Sequence, residues 1–355
     1  MASELHPLAE RYLDALYELP DELKARTALE ETLAAELTGG HQVCIRGFWR
    51  IGKMTLMKAL LKRACERTSG TAFLLDLKDP DREDGIPQTV EAVLGRVAAK
   101  VNDFLGRVGA SELKANPKEP LAVLGELAAP LFVGFDELIA LHALGPEGAT
   151  QVIDALLSTP KNVKVVVVCH RHRDMDALFE EKVVARPHVT TVMLGPISDD
   201  ELVQLVNGPA QALGVTFENE ALGALAEVTG NRPWELFTLC SMAASKLPIG
   251  FTGTIGPQAI DELVSLDALG ESEEGAALVE TYLRILVTAM NAEERTVMEL
   301  LSAGKEGEAT EDALARLEAA GWIATTEDGT ALTSGLMEGI ARALVEGDIK
   351  VSVEG

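Results

Sequence analysis

Apolar residues along this chain alternate between short unbroken runs and stretches with helical spacing. Residues 42–46 (QVCIR), 71–77 (TAFLLDL), 130–135 (PLFVGF), 163–169 (VKVVVVC) and 189–194 (VTTVML) are strand-like runs. Such runs suit strands covered on both faces, as in a parallel sheet. The segments between them are helical in period, beginning with residues 54–65 (MTLMKALLKRAC). The alternation predicts an α/β fold: a mainly parallel sheet of five strands with helices on both faces.

Beyond residue 197 the pattern changes to helices. Residues 198–213, 219–228 and 233–246 each present an apolar face. Ser198 followed by Glu201 has the spacing of a capping box, and Pro233 suits a first helical turn. Residues 247–256 (LPIGFTGTIG) are rich in turn formers and predict a junction. Residues 278–290, 292–303 and 311–320 then read as three helices, followed by a hairpin around Asp328-Gly329.

Candidate chemistry sits where the first strand meets the first helix. Gly47-Phe48-Trp49-Arg50-Ile51-Gly52-Lys53-Met54-Thr55 matches the glycines and lysine of G-x-x-x-x-G-K-[ST], so backbone N–H groups wrap phosphates and Lys53 neutralises them. The helix N-terminus that follows adds its own unpaired donors. The last position normally offers a hydroxyl to Mg²⁺, a hard cation, and here it is the thioether of Met54. Thr55 supplies a hydroxyl only if the loop shifts by one residue. ATP is the expected ligand, with a weakened Mg²⁺ site.

A second half of the site is expected after residues 130–135, where the run ends in Asp136-Glu137. Ligands of open α/β sheets lie beyond the strands' carboxyl ends. Asp136 there would hold Mg²⁺ through water, and Glu137 would activate water as general base. The alternative is that both acids merely cap the next helix.

Together these features resemble the AAA+ ATPases, most closely their bacterial and archaeal STAND-type members. Trp49-Arg50 stand where that group often carries paired basic residues. The resemblance implies that Arg26 lies near the adenine pocket and that a polar residue, here within Cys169-His170, senses the γ-phosphate. It further implies that Arg186 acts as an arginine finger on a neighbouring subunit and that Arg232, in Gly230-Asn231-Arg232-Pro233, is a nucleotide sensor of a helical lid. Each arginine reads equally well as a solvated surface residue. The last ninety or so residues resemble a winged helix. The domains expected are an N-terminal helical segment (1–40), a P-loop NTPase core (41–196), a helical lid (197–265) and a winged-helix-like domain (271–350).

Charge changes one part of that picture. Winged helices commonly bind DNA, yet residues 271–355 hold 6 Lys/Arg against 18 Asp/Glu, and the whole chain carries a formal charge of −25. Phosphate contacts need cations, so DNA is not expected as the partner, and a protein partner or further copies of the chain are. The chain has no apolar run long enough to span a membrane, and its acidic, amphipathic start does not resemble a secretion signal. Four scattered cysteines read as buried thiols of a reducing cytoplasm. Adjacent His170-Arg171-His172 do not have metal-ligand spacing. The function expected is an ATP-binding molecular switch, with slow or partner-stimulated hydrolysis, that acts by protein contact. A pseudo-ATPase scaffold and a DNA-binding ATPase of the origin-recognition type are the alternatives.

Overall fold

The computed structural model describes residues 6–17, 26–47, 50–78, 86–136, 138–170, 176–286, 290–305, 309–319, 322–326 and 329–346. Contacts divide the chain into two compact units, one of residues 27–48 and 53–194, the other of residues 1–26, 49–52 and 195–355.

The first unit is built on a sheet of β1 (Gln42–Gly47), β2 (Thr71–Asp76), β3 (Leu131–Asp136), β4 (Val163–His170) and β5 (Val189–Leu194). The strands are all parallel, in the order β2-β3-β4-β1-β5. Each strand coincides with an apolar run of the sequence to within a residue or so; the inner strands β1, β3 and β4 are buried on both faces, which removes the need for polar alternation, whereas the edge strands β2 and β5 are only partly covered. On one face Phe73, Leu75, Val133, Phe135, Val165 and Val167 pack against the helices Val90–Arg107 and Gly145–Leu157. On the other lies the helix Lys53–Thr68, itself covered by Thr27–Gly39. Gly134 lets that helix approach, since a Cβ there would lie 2.9 Å from Leu61 Cδ1 and Met57 Sδ.

In the second unit the helix Pro233–Ser245 is apolar on almost every side and is buried along nearly its whole length. The N-terminal helix Pro7–Tyr17 packs on it and on Asp199–Gln211. Tyr12 anchors the contact: its hydroxyl donates to the Val206 carbonyl at 2.6 Å, and its ring lies beside Phe217 and Phe237. The segment expected at residues 1–40 is therefore split, because Thr27–Gly39 belongs to the sheet unit and Pro7–Tyr17 does not.

The capping box expected at Ser198 and Glu201 is present. The junction at residues 247–256 contains a strand, β7 (Gly253–Ile255), paired in parallel with β6 (Val215–Phe217). Three residues each are too few to carry a visible period. Three helices follow at Glu273–Arg284, Ala292–Ser302 and Glu311–Ala319, then an antiparallel pair, β8 (Ile323–Thr326) and β9 (Gly329–Leu332), and a final helix Gly335–Glu346. The first begins five residues before the expected 278, because Ser272 caps it by accepting from the Gly275 N–H at 2.9 Å. No described helix is long and apolar enough to cross a membrane.

Candidate nucleotide site

The sheet places the expected residues at the carboxyl ends of its inner strands. Gly47 ends β1 in register with His170 of β4 and Leu194 of β5, and Asp136 ends β3 opposite Asp76 of β2. Gly47 has φ of 148°, and Gly52, five residues on, has φ of 91°, both in the region that favours glycine. Lys53 opens the helix Lys53–Thr68 and is only 3% exposed. A lysine that deeply placed at a helix N-terminus is positioned to meet an anion and not bulk water.

Burial, followed by the positive charges of Lys53 and Lys78, holds the His170 imidazole well below its usual range. It is therefore neutral at physiological pH and can donate a hydrogen bond without repelling Lys53. Cys44 and Cys169 lie side by side beneath, Sγ to Sγ 3.7 Å, and that contact together with burial pushes the Cys169 thiol well up. Both are free thiols, as is Cys240, which is also buried, while Cys65 is only half-buried.

Met54 is half-buried in the first helical turn and Thr55 is exposed beside it. Glu137, Trp49, Arg171 and His172 lie outside the described residues. Arg186 pairs through Nη2 with Asp154 and donates from Nε to the Lys182 carbonyl at 2.5 Å, so it is held by its own subunit. An exposed pair of this kind is worth about 0–1 kcal/mol and does not prevent the side chain from moving.

The five-stranded sheet has its phosphate loop between β1 and the following helix, and its acid at the end of β3. A solved structure of similar fold is the Walker-type ATPase of Pyrococcus abyssi, 17% identical, with a TM-score of 0.57 over 92% of this chain and 99% of that one. The fold is that of the P-loop NTPases. Lower similarities are found to Cdc6p from Pyrobaculum aerophilum (16% identical, TM-score 0.47, 95% of this chain and 99% of that one) and to the Thermotoga maritima RuvB Holliday junction branch migration motor (15%, 0.47, 94% and 97%). A Drosophila ORC structure bound to DNA is 13% identical, with a TM-score of 0.49 over 97% of this chain and 95% of that one. No family model matches the chain, and no curated protein matches it in sequence.

The middle of the P-loop, residues 49–52, is counted with the second unit. Arg50 has φ of 54° and sets its guanidinium over the Trp234 ring, 4.2 Å from the centroid. Ile51 is buried, and its carbonyl accepts from Arg26 Nη1 at 2.8 Å. Sequence reasoning placed Arg50 by its motif but offered nothing to find Trp234 as its partner.

Arg232, expected as a sensor, is committed within that same unit. Its guanidinium lies 4.0 Å from the centroid of Trp322, 3.6 Å from Glu235 Oε1, and donates to Thr333 Oγ1 at 3.1 Å. A sensor role would require it to leave these groups. Trp322 itself is 1% exposed and edge-on to Tyr282. Glu235 accepts from the Ser334 hydroxyl at 3.0 Å, and burial pushes its pKa up to about 7 despite the opposing effect of Arg232. Folding thus favours protonated Glu235. The stability this contributes is complete below about pH 4.5 and is lost as pH rises through about 7. Glu235→Gln, which is never charged, is expected to gain in melting temperature relative to the parent between pH 5 and pH 8; a constant difference over that range would contradict the assignment.

Proposed function

We propose that this chain is an ATP-binding switch with slow or partner-stimulated hydrolysis that acts through protein contacts. The observation that carries the reading is buried Lys53, at the start of the helix that follows Gly47, with neutral His170 beside it. Lys53 supplies the positive charge and His170 a neutral hydrogen-bonding group, a combination suited to the phosphates of a nucleotide. Asp136 supplies a hard oxygen donor for Mg²⁺ at the end of β3, while the exposed Thr55 would supply a hydroxyl only if the loop shifts by one residue. Mg²⁺ bound there would neutralise charge on the terminal phosphates, with Glu137 the candidate base for water.

Calorimetric titration with ATP, with and without Mg²⁺, followed by a turnover assay, tests this. Saturable binding supports the reading; no binding in either condition removes it. Met54 favours the second reading, a pseudo-ATPase scaffold, because its sulfur is a poor ligand for Mg²⁺. Met54→Thr is expected to raise Mg²⁺-dependent affinity or turnover by about tenfold, the value of one contact to a charged centre. No change would mean that Thr55 or water already fills the position.

We further propose that the helices and hairpin of residues 271–350 form a winged-helix-like module that contacts protein. Arg316, the one basic residue on the helix Glu311–Ala319, pairs with Glu293 at 2.6 Å and with Glu294 at 3.0 Å, so its charge is already matched. Salt-sensitive binding of duplex DNA at low ionic strength, lost on deletion of this region, would favour the DNA-binding alternative. An arginine finger at Arg186 is part of the same proposal; it operates only if copies assemble and Asp154 releases it.

A further inference from the structure

We infer that Arg26 is a positioning residue that ties the tip of the phosphate loop to the start of the helix Asp199–Gln211. Three segments far apart in sequence meet at this one side chain. Its Nη1 donates to the Ile51 carbonyl at 2.8 Å and its Nη2 to the Gly195 carbonyl, while its backbone N–H donates to Glu201 Oε1. Glu201 is also the acid of the capping box, where Oε2 accepts from the Ser198 N–H at 2.9 Å. One carboxylate therefore caps the helix and fixes the Arg26 backbone, and the Arg26 fork fixes the loop.

The residue type fits this task. A planar guanidinium can serve two carbonyls at once, whereas an ammonium is a single point. Burial pushes the Arg26 pKa down to about 10, which leaves it charged at neutral pH. Its φ of 68° lies in the left-handed region, which costs a non-glycine residue of order 1 kcal/mol or more and persists only where surrounding contacts impose it. The Glu201 contact on its N–H is such a constraint. Arg50, at φ of 54°, is held in the same way by its contact with Trp234.

The placement has a consequence for switching. Arg26, Ile51, Gly195 and Glu201 all belong to the second unit, and Arg26 joins the loop at Ile51 to Gly195, three residues before the Ser198 cap. When phosphate enters the loop, any displacement of Ile51 is carried through Arg26 to Gly195 and to the Glu201 cap. This last step rests on the ATP-binding reading.

Hydrogen–deuterium exchange of the full chain, with and without ATP, tests the inference in the parent, Arg26→Ala and Arg26→Lys. Without nucleotide, Arg26→Ala is expected to speed exchange about tenfold or more in residues 50–53 and 195–202 together, the effect of losing charged hydrogen bonds. Arg26→Lys keeps the charge and should fall between. With ATP, the parent should gain protection in both segments, whereas Arg26→Ala should gain it only in residues 50–53 and bind ATP about tenfold more weakly. Exchange that is unchanged, or that rises equally in the helix Val90–Arg107, would overturn the inference, since a merely structural loss is not confined to the two segments. If the parent binds no ATP, the nucleotide reading fails, and the nucleotide-free comparison still decides the tie. If Arg26→Ala does not fold, Arg26→Lys decides it.

Discussion

Lys53→Ala is expected to reduce ATP affinity at least about 30-fold while leaving the chain folded. Lys53 is 3% exposed at the head of the helix Lys53–Thr68, whose dipole favours an anion at that end. Removing one partner of a buried charged contact costs about 2 kcal/mol or more, and each 1.4 kcal/mol is tenfold in affinity. Stability is expected to change far less than affinity, because the substitution removes the desolvation cost of burying the Lys53 charge together with the contacts that charge makes. Calorimetry gives the affinity and circular dichroism the fold. Undiminished binding in a folded variant would show that phosphate is not held at this loop. His170 offers a secondary readout: without Lys53 one of the two cations that depress its pKa is gone, so its titration should move upward.

Gly230→Ala is expected to destabilise the second unit by about 2 to 4 kcal/mol, from a left-handed backbone and a steric conflict acting together. Gly230 ends the helix Asn219–Thr229 with φ of 56°. An added Cβ would lie 2.0 Å from the Thr333 carbonyl oxygen and 2.8 Å from its carbon, both backbone atoms that no rotamer change can move. The neighbouring backbone also carries Ser334, whose hydroxyl lies 3.0 Å from Glu235 Oε2 and 3.2 Å from the Val228 carbonyl and can donate its one proton to either. Displacing it would therefore loosen the network around Arg232. A loss of roughly 5 to 15 °C in melting temperature is the expected size for a unit of this length. A variant within a degree or two of the parent would mean that the segment shifts freely, and that Gly230 is needed for neither reason.

The same residues explain how Gly230 to Pro233 can look like a nucleotide-sensing signature and yet serve packing. The turn chemistry was legible: glycine after a helix and proline at the start of the next are local instructions. Where the Arg232 guanidinium goes is not local. It depends on Trp322 and Thr333, about ninety and a hundred residues later, which no period or motif connects to it.

Within the sheet unit the sequence alone was sufficient for most of the architecture. Five apolar runs became five strands; the three inner ones are unbroken because a strand covered on both faces presents no polar positions to solvent. The phosphate loop was equally plain, since its glycines answer a backbone requirement, and φ of 148° at Gly47 and 91° at Gly52 are the values that requirement produces. Ser198 and Glu201 formed their capping box because both partners lie within one helical turn. Only the tertiary structure decided the rest. Pro7–Tyr17 parts from Thr27–Gly39 because Tyr12 finds Val206 and Phe237; β6 finds β7 across thirty-five intervening residues; Arg26 finds Ile51, Gly195 and Glu201. Periodicity and backbone geometry are written in neighbouring residues, so they can be read from the chain. A charge's partner is chosen by which distant segments the core brings together, and that exists only once the chain has folded.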